Sequence, residues 1–328
     1  MSGWGASLQI GFQVWAQNVA WQDLMDAAAA IEDRGFDSLW SNDHFFPIAG
    51  YELEINQHIE GPIFEGWMTL AGFVARTRRI NLGCMVSAAG YRNPGLLVKM
   101  ASTLDHASGG RLVLGLGAGW YERDHVGFGY EYPAPAGRLD RMEETVIAVR
   151  GLLDGDTVTM DGRWVRMLSA RNDPAPLQHR LPLLVGGSGE RRTLPVVARY
   201  ADWWNGEGTP AEIAGKNAAI DRLCEAAGRN PSEIFRTVGL PPPLVRESRS
   251  EAVDKLTATL VGHGMPPEQA RMTAAGSEVV GPLGQVAEAL ARYADAGVAQ
   301  AVFDWPPPFD EETLDALAIL RRELGPGR

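Results

Sequence analysis

A closed (β/α)8 barrel of the α/β class is the fold that this 328-residue sequence predicts, and three observations carry it. Short apolar strand-like runs alternate with longer helical patterns along the whole chain, which implies parallel strands joined by right-handed crossovers. The alternation counts to eight units, the number that closes a barrel. The first strand–helix turn, Gln13-Val14-Trp15-Ala16-Gln17, contains no glycine, whereas an open nucleotide-binding sheet wants a glycine fingerprint there. The expected organisation is one domain over residues 1–328.

Residues 8–14 read as the first strand, 21–34 as a helix that Gly35 closes, and 36–41 as the second strand. A polar loop runs from Asn42 to about Gly66, followed by a helix over 67–77 and a strand over 80–86. Residues 94–107 form a helix with Pro94 at its start and Gly109-Gly110 just past its end. A strand over 111–116 and a helix over 138–153 complete the first half. The segment 154–180 breaks the rhythm: residues 158–165, with Asp161-Gly162 in the middle, read as an inserted surface hairpin. The second half resumes with strand 181–185, helix 190–200, strand 202–205, helix 210–227 and strand 235–240. Helices over 251–261 and 281–296 follow, with 247–277 as a variable region, then strand 300–305 and helix 310–324.

Thirty Lys and Arg against 41 Asp and Glu give a net charge of −11, which argues against nucleic acid or an anionic membrane as partner. No run reaches the roughly 18 apolar residues of a membrane span. Cys84 and Cys224 are too few for a disulfide framework or a cysteine metal cage and fit a reducing compartment. Residues 1–13 lack the pattern of an export signal. The expectation is a cytoplasmic enzyme acting on a small molecule, with a homodimer as the common assembly for such proteins.

Active sites of barrels lie at the C-terminal ends of the strands. There the sequence places Gln13 and Trp15, Asn42-Asp43-His44, Met85-Val86-Ser87, Gly117 to Trp120, Gly186 to Gly189, Asn205, Glu207, Leu240 and Asp304-Trp305. This aromatic, glycine-rich mouth suits a flat ligand. His44, beside Asp43, can hydrogen-bond a ring or share a proton with substrate, or it caps loop backbone. A metal site would need several His and carboxylate ligands spread over strand ends, and His44 is the only histidine at one. Gly186-Gly187-Ser188-Gly189 opens a helix, as a phosphate cradle does, with Arg191 and Arg192 next to it; an ordinary tight turn reads the same. Gly115 to Gly119 lacks the third glycine of a dinucleotide fingerprint, because position 120 is Trp; it serves better as a floor under a ring system. Glu122 just beyond is a candidate acid–base residue.

The longer stretches carry a resemblance. Gly35-Phe36-Asp37-Ser38-Leu39-Trp40-Ser41-Asn42-Asp43-His44-Phe45, Leu82 to Val86, Tyr91-Arg92-Asn93-Pro94, Lys99 to Asp105, Ser108 to Arg111, Leu114 to Trp120 and Val185 to Gly189 resemble the bacterial-luciferase-like superfamily of flavin and deazaflavin oxidoreductases. The resemblance implies a (β/α)8 barrel, and Asp43-His44-Phe45 looks most like the branch that uses coenzyme F420. It implies that Asp43 and His44 orient the deazaflavin and help the hydride or proton step. It also implies a non-proline cis peptide at Met85-Val86 against the ring, and a phosphate turn at Gly186, Gly187 and Ser188. Two departures count against sugar-phosphate oxidation: Ile48 stands where such dehydrogenases have Trp, and Trp120 where they have a proton-donating Glu. The implied activity is F420-dependent oxidation or reduction of a substrate that ten Trp and ten Met suggest is fairly apolar. An FMN-dependent monooxygenase is the alternative; a non-catalytic flavin-binding barrel and a metal hydrolase are the more distant ones.

Overall fold

The computed structural model describes residues 8–48 and 59–324. Eight parallel strands form the barrel: β1 (Gln9–Val14), β2 (Ser38–Ser41), β3 (Asn81–Cys84), β4 (Leu112–Gly117), β5 (Leu183–Gly186), β6 (Trp203–Gly206), β7 (Phe235–Leu240) and β8 (Gln300–Trp305). Each pairs with its neighbours in sequence, β8 pairs with β1, and β3 pairs with β4, so the sheet closes. Helices cover the outside: α1 (Trp21–Asp33), α2 (Gly66–Arg76), α3 (Pro94–Ser108), α4 (Glu122–Gly127), α5 (Pro135–Leu153), α6 (Thr193–Tyr200), α7 (Pro210–Ala226), α8 (Arg249–Gly262), α9 (Pro267–Gly276), α10 (Leu283–Asp295) and α11 (Glu311–Leu324). None is long and apolar enough to cross a membrane.

Alternation along the strands divides the core in two. Ile10, Phe12 and Val14 of β1 face outward into the layer shared with the helices, as do Ala301 and Phe303 of β8. The interior is packed by Trp40, Met85, Val113, Leu184 and Val302. Glycine supplies room where strands crowd. A Cβ on Gly115 would lie 2.2 Å from the carbonyl oxygen of Cys84, which is backbone and cannot swing away. Gly115→Ala is therefore expected to cost about 1–3 kcal/mol by overpacking, read as a lower denaturation midpoint.

Several expected boundaries move. The hairpin is present, but its strands are Val158–Asp161 and Arg166–Ala170, joined by a turn in which the Gly162 N–H donates to Val165 O at 2.9 Å. α6 begins at Thr193 rather than 190, because Gly189 O accepts from the N–H groups of Arg192, Thr193 and Leu194 in a tight preceding turn. The region after β7 is more structured than its sequence suggests. Leu244–Val245 and Val280–Gly281 pair in parallel, and with α8 and α9 they close a small second core around Leu244, Leu256, Leu260 and Val280. Trp15 and Ile59 plug into that core and tie the lobe to the barrel mouth. The middle of the 42–66 loop lies outside the described residues.

Candidate functional site

The third strand ends sooner than its pattern suggests. After Cys84 the Met85–Val86 peptide is cis, and Ser87–Ala88 then pairs with Leu116 and Gly117 of β4. The step turns Met85 into the barrel interior and leaves Val86 half-buried at the mouth. Across from it the wall is bare of side chains: a Cβ on Gly117 would lie 2.6 Å from Val86 Cγ2, and one on Gly186 3.1 Å from Val86 Cγ1. Glycine at these positions lets the Val86 methyls occupy the space between β4 and β5, forming a small apolar platform.

His44 follows β2, and its acidic partner is not the adjacent Asp43. His44 Nδ1 lies 2.7 Å from Asp124 Oδ2 on α4. Asp124 is fully buried and also accepts from the Tyr91 hydroxyl at 3.1 Å and from the backbone N–H groups of Phe45 and Phe46 at 3.0 and 2.9 Å. Burial and Asp124 push the Tyr91 phenol up, so it remains a donor. A carboxylate that accepts a hydrogen bond from Nδ1–H leaves Nε2 as the ring's acceptor. Trp120 and Tyr121 meet the imidazole edge-to-face, with centroids 5.6 and 5.8 Å away, which fixes its plane. Asp124 is the residue sequence reasoning missed. Its signal was Glu122-Arg123-Asp124-His125, two residues past the glycine floor, read only for Glu122, which is exposed on α4.

Asp43 is instead held by Arg92, whose guanidinium donates at 2.6 and 3.0 Å to its two oxygens and also pairs with Glu65. Burial raises the Asp43 carboxyl above its ordinary range against the pull of Arg92. The network joins the segment after β2 to the N-termini of α2 and α3, where Glu65 also caps α2 by accepting from the Met68 N–H at 2.6 Å.

The glycine turn after β5 divides its tasks. The Gly187 N–H already donates to Asn205 O at 3.0 Å, and its carbonyl accepts from the Trp204 indole at 2.8 Å. Gly187 thus contributes space, at a φ of +116° that suits glycine alone. Ser188 and Gly189 remain beside the start of α6. Arg192, expected to reinforce an anion site, is paired with Asp140 and Glu143, which neutralise it. Gly119 also has positive φ, and a Cβ there would lie 3.0 Å from the His125 ring.

On the far side of the mouth the chemistry is polar. Gln13 and Asp304 stand in register on β1 and β8. The Trp15 indole N–H donates to Asp304 Oδ1, and Asn205 is fixed by the Thr237 hydroxyl at 2.8 Å. Gln17, fully buried, grips the backbone of Ile48 through both its amide atoms, at 2.8 and 2.5 Å. Position 48 is thereby an anchor for the loop.

A sequence model described as luciferase-like monooxygenase matches residues 3–300. The chain is 28% identical over 350 residues to an F420-dependent glucose-6-phosphate dehydrogenase of Nocardia farcinica, covering 97% of both chains. It is 27% identical to the protein of the same name from Kineococcus radiotolerans, covering 92% of each. Its fold matches an F420-dependent secondary alcohol dehydrogenase in complex with an F420–acetone adduct, with a TM-score of 0.80 at 19% identity, over 97% of this chain and 99% of that one. A monooxygenase from Streptomyces bottropensis superposes with a TM-score of 0.73 at 18% identity, over 95% and 97%. With the match spanning nearly the whole barrel, the chain belongs to the luciferase-like monooxygenase family.

Proposed function

We propose that the protein is an F420-dependent oxidoreductase that moves a hydride between the deazaflavin and a small, fairly apolar organic substrate. One observation carries the reading: the platform of Val86 methyls, bared by Gly117 and Gly186, stands at the same mouth as a histidine whose Nδ1 is locked by Asp124. A planar ring system fits a site built of glycine and one methyl pair, because backbone and ring can approach closely. The naming of full-length relatives as F420-dependent dehydrogenases supports the same cofactor.

When bound, the deazaflavin supplies two-electron chemistry at one ring carbon. The chain does the rest. Val86, Met85 and the glycines Gly117 and Gly119 support the ring, and Trp120 with Tyr121 walls the His44 side. Ser188 and Gly189, with the space made by Gly187, receive the phosphate of the cofactor's tail. His44 presents Nε2 to the reacting edge, and Asp43 acts at one remove as a positioning residue through Arg92. Sealing such a site from water strengthens each of these polar contacts.

Titration of the cofactor-free protein with coenzyme F420 and, separately, with FMN checks the reading, followed by quenching of cofactor fluorescence. Tight F420 binding with weak FMN binding is the expected result. The opposite preference would sink the proposal in favour of an oxygen-activating monooxygenase. For the loaded enzyme, a screen of C3–C8 alcohols and their ketones, read as deazaflavin absorbance change, then identifies the substrate.

A further inference from the structure

Three carboxyl groups stand at the C-terminal ends of the strands or against them: Asp43 and Asp124 are buried and committed, and the third is partly exposed. Asp43 is clamped by Arg92, and Asp124 accepts four hydrogen bonds from His44, Tyr91, Phe45 and Phe46. Neither can exchange a proton without undoing its own scaffold. The third is Asp304.

Gln300 and Val302 of β8 point into the barrel, whereas Ala301 and Phe303 pack outward. Two residues beyond Val302, Asp304 therefore faces the chamber. Its Oδ1 accepts the Trp15 indole N–H, and its Oδ2 accepts no hydrogen bond among the described residues. The neighbouring strands bring no charge to it: Gln13 is its partner on β1, and Gly239 and Leu240 end β7. Glu207, just past β6, leans over Gly239, where a Cβ would lie 3.5 Å from Glu207 Cγ, and is the charged group facing Asp304. Behind Trp15, His263 at the end of α8 meets the indole edge-on at 6.5 Å, and burial lowers its proton affinity.

We propose that Asp304 is the proton-carrying group of the chamber, exchanging a proton with the oxygen of an uncharged alcohol or of the carbonyl compound it becomes. The inference rests on the F420 reading above. In the oxidising direction the alcohol O–H breaks and its proton forms an O–H bond on the ionised Asp304 carboxylate. The hydrogen on the adjacent carbon leaves with its bonding pair for the oxidised deazaflavin, which is reduced as C=O forms. In the reducing direction protonated Asp304 returns the proton to the carbonyl oxygen while the carbon accepts that hydrogen and its electron pair. Burial and Glu207 hold the Asp304 carboxyl at about 7, even though the Trp15 N–H pulls it down. A group near half-protonation at neutral pH can both give and take a proton. This supplies the proton donor that Trp120 cannot be.

The test begins on full-length, cofactor-free protein labelled with 15N, without turnover. The indole N–H resonance of Trp15, assigned with Trp15→Phe, is expected to titrate with a midpoint near pH 7. Asp304→Asn should abolish that titration and leave the other indole resonances in place, which also reports that the variant is folded. A flat Trp15 resonance, or a midpoint below 5, would mean a carboxylate with no proton to lend, and overturns the proposal. Saturating F420 should move the Trp15 resonance; F420 that quenches on binding yet leaves Trp15 unmoved places Asp304 outside the chamber and also overturns it. F420 that fails to bind sinks the cofactor reading instead, and with it the role given to Asp304. For the alcohol–ketone pair returned by the screen, Asp304→Asn should lower kcat at least 100-fold with little change in F420 affinity. Wild-type kcat in the variant refutes the inference.

Discussion

His44→Ala is expected to lower turnover by about two orders of magnitude, the cost of losing a group that orients the reacting edge, while F420 binding is partly kept. The platform of Val86 and the glycine walls does not involve the imidazole, so affinity and rate should separate. Steady-state kcat beside fluorescence-quenching affinity makes the comparison, and unchanged turnover would remove His44 from the reaction. Asp124→Asn sharpens the test. Asparagine keeps the volume and can still accept from the Phe45 and Phe46 N–H groups at 3.0 and 2.9 Å, but it no longer offers a charged acceptor to Nδ1. The ring is then free to take the other tautomer or to turn. A smaller loss of kcat with a displaced pH profile is the expected signature of a positioning residue; loss of stability with an unchanged profile would make Asp124 purely structural.

Arg92→Met should be the most destabilising single change at the site. Asp43 is 3% exposed, and both its oxygens take hydrogen bonds from Arg92. Removing the guanidinium leaves a buried carboxyl without its counter-charge, which costs about 3–5 kcal/mol. Glu65 loses a partner as well, though it is more exposed, so little is added there. The pH dependence has a definite sign. A buried carboxyl whose folded-state pKa is raised binds a proton that the unfolded chain releases, so stability is full below the ordinary carboxylate value and is lost as pH rises through the raised one. Arg92 pulls the Asp43 carboxyl down, so Arg92→Met should raise it further and look closest to wild type in acid and worst above neutrality. Denaturant midpoints at pH 5 and 8 check this, and adding Asp43→Asn should restore most of the loss at pH 8.

The strand ends, glycines and aromatic residues of the mouth were legible because each leaves a local mark: a hydrophobic period, a glycine where backbones crowd, a proline at a helix start. Asp43 and His44 were found by their position after a strand, but their adjacency suggested a pair that does not form. The neighbour of His44 is Asp124, 80 positions away in sequence. The lobe around Leu244, Leu256 and Val280 was similarly faint, since its two strands have two residues each and its core closes only when Trp15 and Ile59 arrive from elsewhere.

By itself, then, the sequence determined eight strand–helix units, the barrel they close, and the end of that barrel where chemistry occurs. These follow from side-chain periodicity and turn residues acting over a few positions. Tertiary structure alone decided which polar groups meet: His44 with Asp124, Asp43 with Arg92, and Asp304 with the Trp15 indole. Charges and hydrogen bonds act through space and depend on burial, and neither distance nor burial is written in the spacing of residues along a chain.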